Sequence, residues 1–443
     1  MARLTAAAVR VVAAARRMAA AAPAAARASR KSSQLLIGPQ QGALSVTVAS
    51  AEHQRAGKFP TYSLLACIAA AVAALALFYQ PLRSKLDKIE YWTADWRTVL
   101  LADSTPDKHP RIVLVLFDPA TFKGNIVSPI PRDDHARLLR TIAAMQPAAI
   151  GLDFYFVASQ GPERDQAMLD ALHEIDRPVV LGGVDSHTDE FDKDHFAYQK
   201  QFLSEAGRPA GYLALDYGPG HVVRRTSPPV ADSPFQESFA RQVALAAKAE
   251  LAGPGTSSES TRIAWLVGPD RDTTPFFRIS AKELLGDSSE ARRAEIAQRV
   301  KGNIVLTGIA MPNSDLHDTS LSVWTDSKML GALVHAHILA QLLDGRYYYE
   351  LAGPARSALL AGIGVAGLLL AWVLGEKRAS LLNLGLATAV LVGIDALCYA
   401  GFRVVLPFTL MLYVWFIGAL AGRHLRKLFL WAQARANPVA QTV

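Results

Sequence analysis

The sequence contains very little cysteine, and both cysteines fall inside apolar segments. Cys67 and Cys398 are the only two among 443 residues, which excludes a disulfide framework in the polar part of the chain. Cys67 lies near the basic end of its apolar segment, whereas Cys398 lies near the opposite end of its own. A disulfide needs Cα atoms within about 7 Å, so we expect no bridge between them.

Acidic residues are scarce outside one central region. Residues 80–353 contain 36 acidic and 29 basic residues, whereas the rest of the chain contains 3 acidic and 17 basic residues. A basic excess spread over the whole chain would indicate a nucleic-acid partner, but basic residues confined to the flanks of apolar segments indicate membrane topology. We therefore predict no nucleic-acid partner and an acidic domain at residues 80–353.

Four apolar segments have about the 20 residues that an α-helix needs to cross a bilayer. The predicted spans are Tyr62–Tyr79, Ala355–Leu374, Ser380–Gly401 and Val405–Leu425. Basic residues accumulate in cytoplasmic loops, and here they precede the first span, separate the second from the third and follow the fourth. We therefore predict a multi-pass membrane protein with both termini in the cytoplasm and residues 80–353 on the outer side of the membrane.

The two ends of the chain are interpreted as cytoplasmic. Residues 1–61 are rich in alanine and arginine, and their first acidic residue is Glu52. Such a segment can be a targeting peptide or lie on an anionic membrane, but few large apolar residues occupy any one face, which favours an unstructured extension. Residues 426–443 form a short tail, and the 18 residues after Leu425 leave no room for an enzymatic output domain.

The central domain alternates strand and helix patterns. The β-branched run Arg111–Phe117, the helical spacing of Arg132–Met145 and the strand-like Ala148–Asp153 predict a βαβ unit. Asn303–Gly308 predicts a further buried strand, and Met329–Leu343 a helix. Strands separated by helices predict an α/β domain with a mixed or mainly parallel sheet covered on both faces.

Other parts of this domain have weaker patterns. Asp185–Pro209 is predicted to be irregular, and Pro312–Val323 a surface loop. Gly211–Leu215 and His221–Arg225 are interpreted as a hairpin, and Ile263–Val267 as a strand.

One glycine motif has the spacing of a dinucleotide-binding fingerprint. Gly362–Gly367 has the spacing GxGxxG, but it lies within an apolar segment with no preceding strand and no acid placed for a ribose. Dinucleotide binding is therefore disfavoured. Together with Gly418 and Gly422, these small residues are predicted to let membrane helices pack closely.

Several short stretches occur in a characteristic order: Val113–Asp118, Pro129–Arg132 with His135 and Leu138, Gly151–Asp153 with Phe156, Asp165–Leu172, Gly302–Gly308 with Asp315, His317, Asp318 and Thr319, and Val334–Ala336. In this order they resemble the CHASE2 domain, an extracytoplasmic sensory module of bacterial cyclases and histidine kinases. The family also has one helix before the domain and three after it. Ser128 and Ile130 stand in the neighbourhood where the family usually has tryptophan.

Three charged residues are the first candidates for a ligand site. Asp118 and Asp153 each close a predicted strand, and the two strands are predicted to be neighbours. Ligands of α/β sheets bind beyond the carboxyl ends of the strands. Arg132, at the start of a helix, could pair with either acid or hold an anionic ligand. The alternative is an internal ion pair that fixes the loop.

A second group of polar residues could suggest a metal. Asp315, His317 and Asp318 precede His335 and His337. Helical residues two apart face different directions, so the two histidines are not expected to share an ion. We predict a hydrogen-bonded network without metal, and keep Asp318 and His335 as candidate ligand-binding residues.

Asp395 is the only acid in the predicted spans. An ionisable residue in a membrane usually has a partner or a function, and Arg403 or Arg356 is within plausible reach. We interpret Asp395 as a packing or topology element, with ion translocation as the minor alternative.

Together with the predicted topology, the resemblance implies a sensory or accessory protein of the bacterial inner membrane, with residues 80–353 in the periplasm, that is not an enzyme and uses no cofactor. Its periplasmic domain would recognise an unknown signal and act through a separate protein, and the chain itself could form a homo-oligomer. The alternative is a structural subunit of a larger membrane complex that senses nothing.

Overall fold

The structure is a computed structural model that describes residues 60–75, 77, 79–105, 107–185, 192–231, 233–251, 260–270, 273–286, 288–312, 314–375 and 378–436. The predicted extension at residues 1–61 lies almost wholly outside these ranges. The chain divides into two compact units. Unit 1 comprises residues 1–93, 351–398 and 406–443, and unit 2 comprises residues 94–350 and 399–405.

Unit 2 is built on strands and helices that alternate along the chain. Its strands are β1 (Ile112–Phe117), β2 (Ala149–Leu152), β3 (Val179–Gly183), β4 (Ala210–Tyr212), β5 (Asp216–Gly218), β6 (Val222–Arg225), β7 (Phe277–Ser280), β8 (Ile304–Ile309), β9 (Leu316–Thr319), β10 (Met329–Leu330), β11 (Tyr349–Glu350) and β12 (Val404–Val405).

The helices of the whole chain are α1 (Thr61–Leu75), α2 (Gln80–Leu101), α3 (Arg132–Ala144), α4 (Pro162–Glu174), α5 (Lys193–Ala206), α6 (Phe239–Ala246), α7 (Ala281–Leu285), α8 (Glu290–Val300), α9 (Ser322–Thr325), α10 (Gly331–Asp344), α11 (Gly353–Leu374), α12 (Arg378–Phe402) and α13 (Phe408–Ala436).

Six strands form a wholly parallel sheet in the order β4-β3-β2-β8-β1-β7. All six residues of β1 are buried, as expected for a strand covered on both faces. Ile112, Leu114 and Leu116 face the layer of α6 and α10, whereas Val113 and Val115 face the layer of α3, α4 and α8. The predicted α/β class, a mainly parallel sheet with helices on both faces, is confirmed.

A second, small sheet has the order β10-β9-β6-β5. β6 does not pair with residues 211–215 as predicted, because β4 joins the main sheet and β5 becomes the hairpin partner of β6. The predicted loop Pro312–Val323 contains β9, which pairs with β6. Ile263–Val267, predicted as a strand, forms only bridges at its flanks.

Helix α5 lies in the stretch that was predicted to be irregular. Asp192 caps its first turn by accepting hydrogen bonds from the backbone N–H groups of Asp194 and His195, and Gly207 ends it in a left-handed conformation. Both signals are ordinary helix boundaries. The prediction was wrong because it gave more weight to the polar composition of the stretch than to its two capping residues.

Three helices are long and apolar enough to cross a membrane among the described residues: α11, residues Leu381–Phe402 of α12, and α13. The predicted first span, Tyr62–Tyr79, contains nearly all of α1 and ends one residue before α2, and the two helices meet at a bend of 78°. With 15 residues, α1 is about 22 Å long, shorter than the roughly 30 Å hydrocarbon core. The two helices are long and apolar enough to cross a membrane only if they count together as one span.

Helices α11 and α13 of unit 1 pack backbone against backbone at glycines. A Cβ atom on Gly418 would lie 2.0 Å from the carbonyl oxygen of Gly364, and one on Gly422 would lie 2.1 Å from that of Leu368. Such close contact requires residues without a side chain. Gly364 and Gly367 of the GxGxxG stretch therefore serve helix packing, as predicted, whereas Gly362 of the same stretch does not.

Gly418→Ala is expected to lower the melting temperature of the full chain in detergent, because overpacking of this kind usually costs about 1–3 kcal/mol. Gly362→Ala is the matched control, since a Cβ atom there meets nothing within 4 Å and alanine favours a helix. Equal melting of the two variants would contradict close packing at Gly418.

Candidate functional site

The carboxyl ends of the parallel strands meet at one edge of the main sheet, where both predicted aspartates lie. β8 runs between β1 and β2, so Asp118 and Asp153 do not close neighbouring strands, contrary to the prediction. The order differs because β8, from late in the chain, inserts between two strands that are consecutive in sequence. Asp118 and Asp153 therefore have different surroundings.

Asp153 is buried without a full set of hydrogen bonds. Its side chain is 8% exposed, and its Oδ2 atom has no hydrogen-bond partner. Its Oδ1 atom lies 3.9 Å from Nε2 of His335, too far for a hydrogen bond. Burial, followed by the nearby charge of Asp315, raises the pKa of Asp153 well above its ordinary value. The site therefore favours the protonated acid.

His335 completes this pair from helix α10. Its Nδ1 atom also has no hydrogen-bond partner, and its ring packs edge-on against Phe239. Burial lowers the pKa of His335 to about 4, although the charge of Asp315 opposes the shift. His335 is therefore neutral at neutral pH. Buried polar groups that leave hydrogen bonds unmade lower the stability of the folded state. Such groups often mark functional sites.

A short hydrogen-bonded chain lies beside the pair. Nε2 of His317 lies 2.8 Å from Oδ1 of Asp315, and the Tyr217 hydroxyl lies 2.6 Å from Nδ1 of His317. Asp315 has a positive φ of 52°, and its carboxylate occupies the space that a Cβ atom on Gly331 would need. Because Gly331 begins α10, a change at Asp315 would act directly on that helix.

Asp118 has a structural role in this edge. It accepts hydrogen bonds from the backbone N–H and hydroxyl of Thr121, at 3.0 and 2.9 Å, and from the Ser280 hydroxyl at 2.8 Å. It thereby caps the 3-10 turn Pro119–Phe122 and joins it to the end of β7.

Arg132 pairs with neither predicted acid. Its guanidinium contacts the carboxylate of Asp165 and the hydroxyl of Tyr198, and donates a 2.7 Å hydrogen bond to the carbonyl of Ala158. It also stacks on Phe202, with 4.6 Å between Cζ and the ring centroid. The protein's own groups therefore occupy Arg132, which corresponds to the alternative of an internal ion pair that fixes the loop.

The remaining polar candidates do not converge on one ion. Asp318 lies on β9, is 39% exposed and has Nζ of Lys328 at 3.8 Å. His337 points away from His335, and its Nδ1 accepts a 3.2 Å hydrogen bond from the backbone N–H of Leu266. Across the ranges that the structure describes, no group of three or more His, Cys, Asp or Glu residues could hold a metal.

Asp395 is buried within unit 1 on α12. The predicted partner Arg403 donates instead to Oδ2 of Asp103, at 3.2 Å. Cys67 and Cys398 are free thiols, as predicted.

Sequence reasoning missed Tyr217, which lies 100 residues from His317 along the chain. Nothing in the local sequence of β5 distinguishes this tyrosine from others. Only the pairing of β5, β6 and β9 brings it to the polar chain.

Asp153→Asn is expected to raise stability at neutral pH relative to the wild type. Because the folded-state pKa of Asp153 is raised, its ionisation opposes folding above the unfolded pKa of about 3.9. The cost grows as pH rises towards the folded pKa and is then constant. An uncompensated buried group of this kind costs about 1–3 kcal/mol.

Melting temperatures of the full chain in detergent between pH 4 and pH 8 measure this difference. It should be smallest at pH 4 and largest at pH 8. Asp118→Asn, at the same sheet edge, should give no stabilisation at either pH because Asp118 is a cap. A difference for Asp153→Asn that does not vary with pH would count against a raised pKa.

Comparison with protein families identifies the domain. The CHASE2 domain model matches residues 68–375, which include the C-terminal half of α1, the whole central domain and α11. No curated protein and no solved structure matches the chain. CHASE2 domains are extracellular sensory modules. Since the match covers more than half of the chain, this protein belongs to the CHASE2 family.

Proposed function

We propose that this protein is a bacterial membrane sensor that recognises an extracytoplasmic signal and passes it to a separate protein. The observation that carries the proposal is the family match, which runs without a break from the sensory domain into an apolar helix. The protein would act by recognition rather than by catalysis of its own. The proposed location is the inner membrane, with the CHASE2 domain in the periplasm.

Contacts within unit 2 offer a physical route for such a signal. α10, which carries His335, leads into β11, and β11 pairs with β12. The backbone N–H of Tyr349 donates a 2.8 Å hydrogen bond to the carbonyl of Arg403. Since β12 lies between α12 and α13 along the chain, a shift of α10 would reach the ends of two apolar helices. A ligand can drive this shift only by its different affinity for the two states.

Site-specific crosslinking in native membranes tests the proposal. A photoreactive amino acid would replace Phe416 or Leu420, which are exposed on α13. We expect capture of one discrete protein, with a yield that changes when the periplasmic medium changes. A constant yield would indicate a structural subunit instead. Absence of any captured protein from both positions would contradict action through a partner.

Cysteine labelling tests the proposed topology. In a variant with Cys67 and Cys398 replaced by serine, Glu250→Cys places a thiol on the exposed surface of the domain, and Arg435→Cys places one near the end of α13. A membrane-impermeant maleimide should label position 250 in intact spheroplasts, but position 435 only after permeabilisation. The reverse pattern would place the domain in the cytoplasm and contradict the proposed function.

A further inference from the structure

A cavity of about 200 Å³ lies beside β7, the strand at one edge of the main sheet. We call it the β7 cavity; its walls include Pro275, Arg278, Leu321, Met329, Leu333 and His337. All six belong to unit 2 and lie within the described stretches 273–286 and 314–375. An apolar cavity of roughly 150 Å³ already holds a benzene ring, so the β7 cavity has room for a small organic ligand.

The β7 cavity has a guanidinium without a counter-ion. Arg278 lies on β7, and among the described residues it forms no hydrogen bond or ion pair. Partial burial lowers the pKa of Arg278, and the nearby charge of Asp118 offsets this effect only in part. Asp118 is itself held by Thr121 and Ser280. The planar fork of Arg278 is therefore available to a carboxylate, which it can bind through two parallel hydrogen bonds.

The other charged groups of the wall favour an anion as well. Asp270, the only acid among the described lining residues, already accepts a 2.7 Å hydrogen bond from the backbone N–H of Thr273. Lys328 is exposed at the rim, and its Nζ atom lies 3.8 Å from Oδ2 of Asp318, which is too far for a hydrogen bond. Two cationic side chains and one engaged acid therefore line the cavity.

His337 of α10 adds an uncharged donor to the wall. It is 0% exposed, and burial, followed by the charges of Arg346 and His109, lowers its pKa to about 3. Its Nδ1 atom accepts a hydrogen bond from the backbone N–H of Leu266, so the ring proton of neutral His337 is on Nε2. This Nε2 atom has no hydrogen-bond partner. The wall thus contains a buried N–H group that lacks an acceptor.

The rest of the wall is mainly apolar. Leu321 and Leu333 are each 8% exposed and belong to the core layer on one face of the main sheet. Met329 and Leu330 pack against the same layer. Binding sites for small molecules typically combine such apolar walls with a few placed polar groups.

We propose that the β7 cavity binds a small monocarboxylate with a compact apolar body about the size of one ring, whose carboxylate pairs with Arg278. The apolar body would pack on Leu321, Met329 and Leu333. Because Met329 and Leu333 flank Gly331, the first residue of α10, an occupied cavity would contact the helix that leads to β11. As the signal of a sensor, this ligand class rests on the proposed function, whereas the binding itself does not.

Calorimetric titration of the full chain in lipid nanodiscs tests the inference. Benzoate and 3-methylbutanoate serve as probes, and benzamide is the neutral analogue of benzoate. We expect saturable binding of at least one of the two acids with a dissociation constant of about 1 mM or tighter. Benzamide should bind about tenfold more weakly than benzoate or worse, since it loses a charge-assisted hydrogen bond.

Arginine variants test the proposed counter-ion. Arg278→Gln should weaken the binding of the acids about tenfold or more, and it is expected to fold because the Arg278 side chain is exposed and has no partner to lose. Arg293→Gln is the matched control, since Arg293 is exposed on α8 and does not line the cavity. Its binding of the acids should equal that of the wild type.

A size test locates the apolar body. Met329→Ala enlarges the cavity, so the affinity for 2-naphthoate relative to benzoate should rise about threefold or more. Leu245→Ala is the control, because Leu245 is exposed on α6 and is not part of the wall. An unchanged preference in Met329→Ala would contradict binding inside the cavity.

Two further results would overturn the inference: no saturable binding of either acid by the wild type, or equal binding by Arg278→Gln and Arg293→Gln. Neither result affects the labelling of positions 250 and 435 or the capture of a partner. Conversely, a cytoplasmic location of the domain would overturn the proposed function and leave carboxylate binding by the β7 cavity intact.

Discussion

Asp95→Asn is expected to destabilise unit 2 by about 3–5 kcal/mol, the usual cost of breaking a buried ion pair by removing one partner. Asp95 and Arg224 have side chains that are 3% and 8% exposed. Nε of Arg224 donates to Oδ1 at 2.9 Å, and its Nη2 donates to Oδ2 at 2.7 Å. Asparagine keeps the shape of the side chain but leaves the guanidinium buried without its counter-charge.

Hydrogen exchange of the full chain in detergent measures this effect on unit 2 alone, because peptides from β1 and β8 report the opening of its core. Asp176→Asn is the control; its partner Arg177 is adjacent and the pair is exposed, so protection should not change. The double variant Asp95→Asn, Arg224→Gln should recover part of the loss, because the buried charge is also removed. A single variant as stable as the wild type would show that the pair is unimportant to the fold.

The pair also connects two distant parts of unit 2. Asp95 lies on α2, the helix that follows α1, whereas Arg224 lies on β6, which pairs with β9 and β5. Three residues later on α2, the Thr98 hydroxyl accepts a 3.0 Å hydrogen bond from the Tyr399 hydroxyl. Through Arg224, the end of α2 is joined to the same small sheet that carries Tyr217 and His317. Under the proposed function, we expect Asp95→Asn to change the yield of the crosslinked partner even at temperatures where unit 2 remains folded.

Arg132→Ala is expected to destabilise unit 2 by about 3 kcal/mol or more, because it removes a buried ion-pair partner and a stacked side chain. The Arg132 side chain is 3% exposed. Arg132→Lys should recover only part of the stability, since lysine lacks the planar fork that reaches Asp165, Tyr198 and the Ala158 carbonyl together.

The pKa of Asp165 determines how the destabilisation of Arg132→Ala depends on pH. Burial raises its pKa, but hydrogen bonds from Ser159, Gln160 and Tyr198, and the charge of Arg132, lower it more, so that the net pKa is below its ordinary value. A depressed carboxyl pKa stabilises the fold above the unfolded pKa, and this stabilisation is lost as pH falls through the folded pKa. The difference between the wild type and Arg132→Ala should therefore be full at pH 7 and shrink below about pH 4.

Thermal melts of both chains in detergent at pH 7 and at acidic pH measure the difference. Arg137→Ala is the control, because Arg137 lies on the same helix and its side chain is 60% exposed. An Arg132→Ala variant that melts like Arg137→Ala would mean that the guanidinium is not part of the folded core. A loss that is equal at both pH values would mean that Asp165 is not its energetic partner.

Much of the fold follows from local patterns. The run Ile112–Phe117 is apolar at every position because β1 is covered on both faces, and such a run is visible without any partner. Helix α3 starts at Arg132, the position that the helical spacing of Arg132–Met145 predicted. The candidate site was less predictable: Asp153 and His335 were both named, but as members of different groups.

Chain order and composition alone therefore determined the acidic centre, the basic flanks, the apolar C-terminal helices and the α/β class, since each depends on periodicity or charge within a short window. Only the tertiary structure decided that β8 separates Asp118 from Asp153, that Arg132 pairs with Asp165, and that His335 lies opposite Asp153. The physical reason is that strand order and ion-pair choice depend on contacts between residues far apart in sequence. For such contacts many arrangements satisfy the same local pattern, and packing selects one of them.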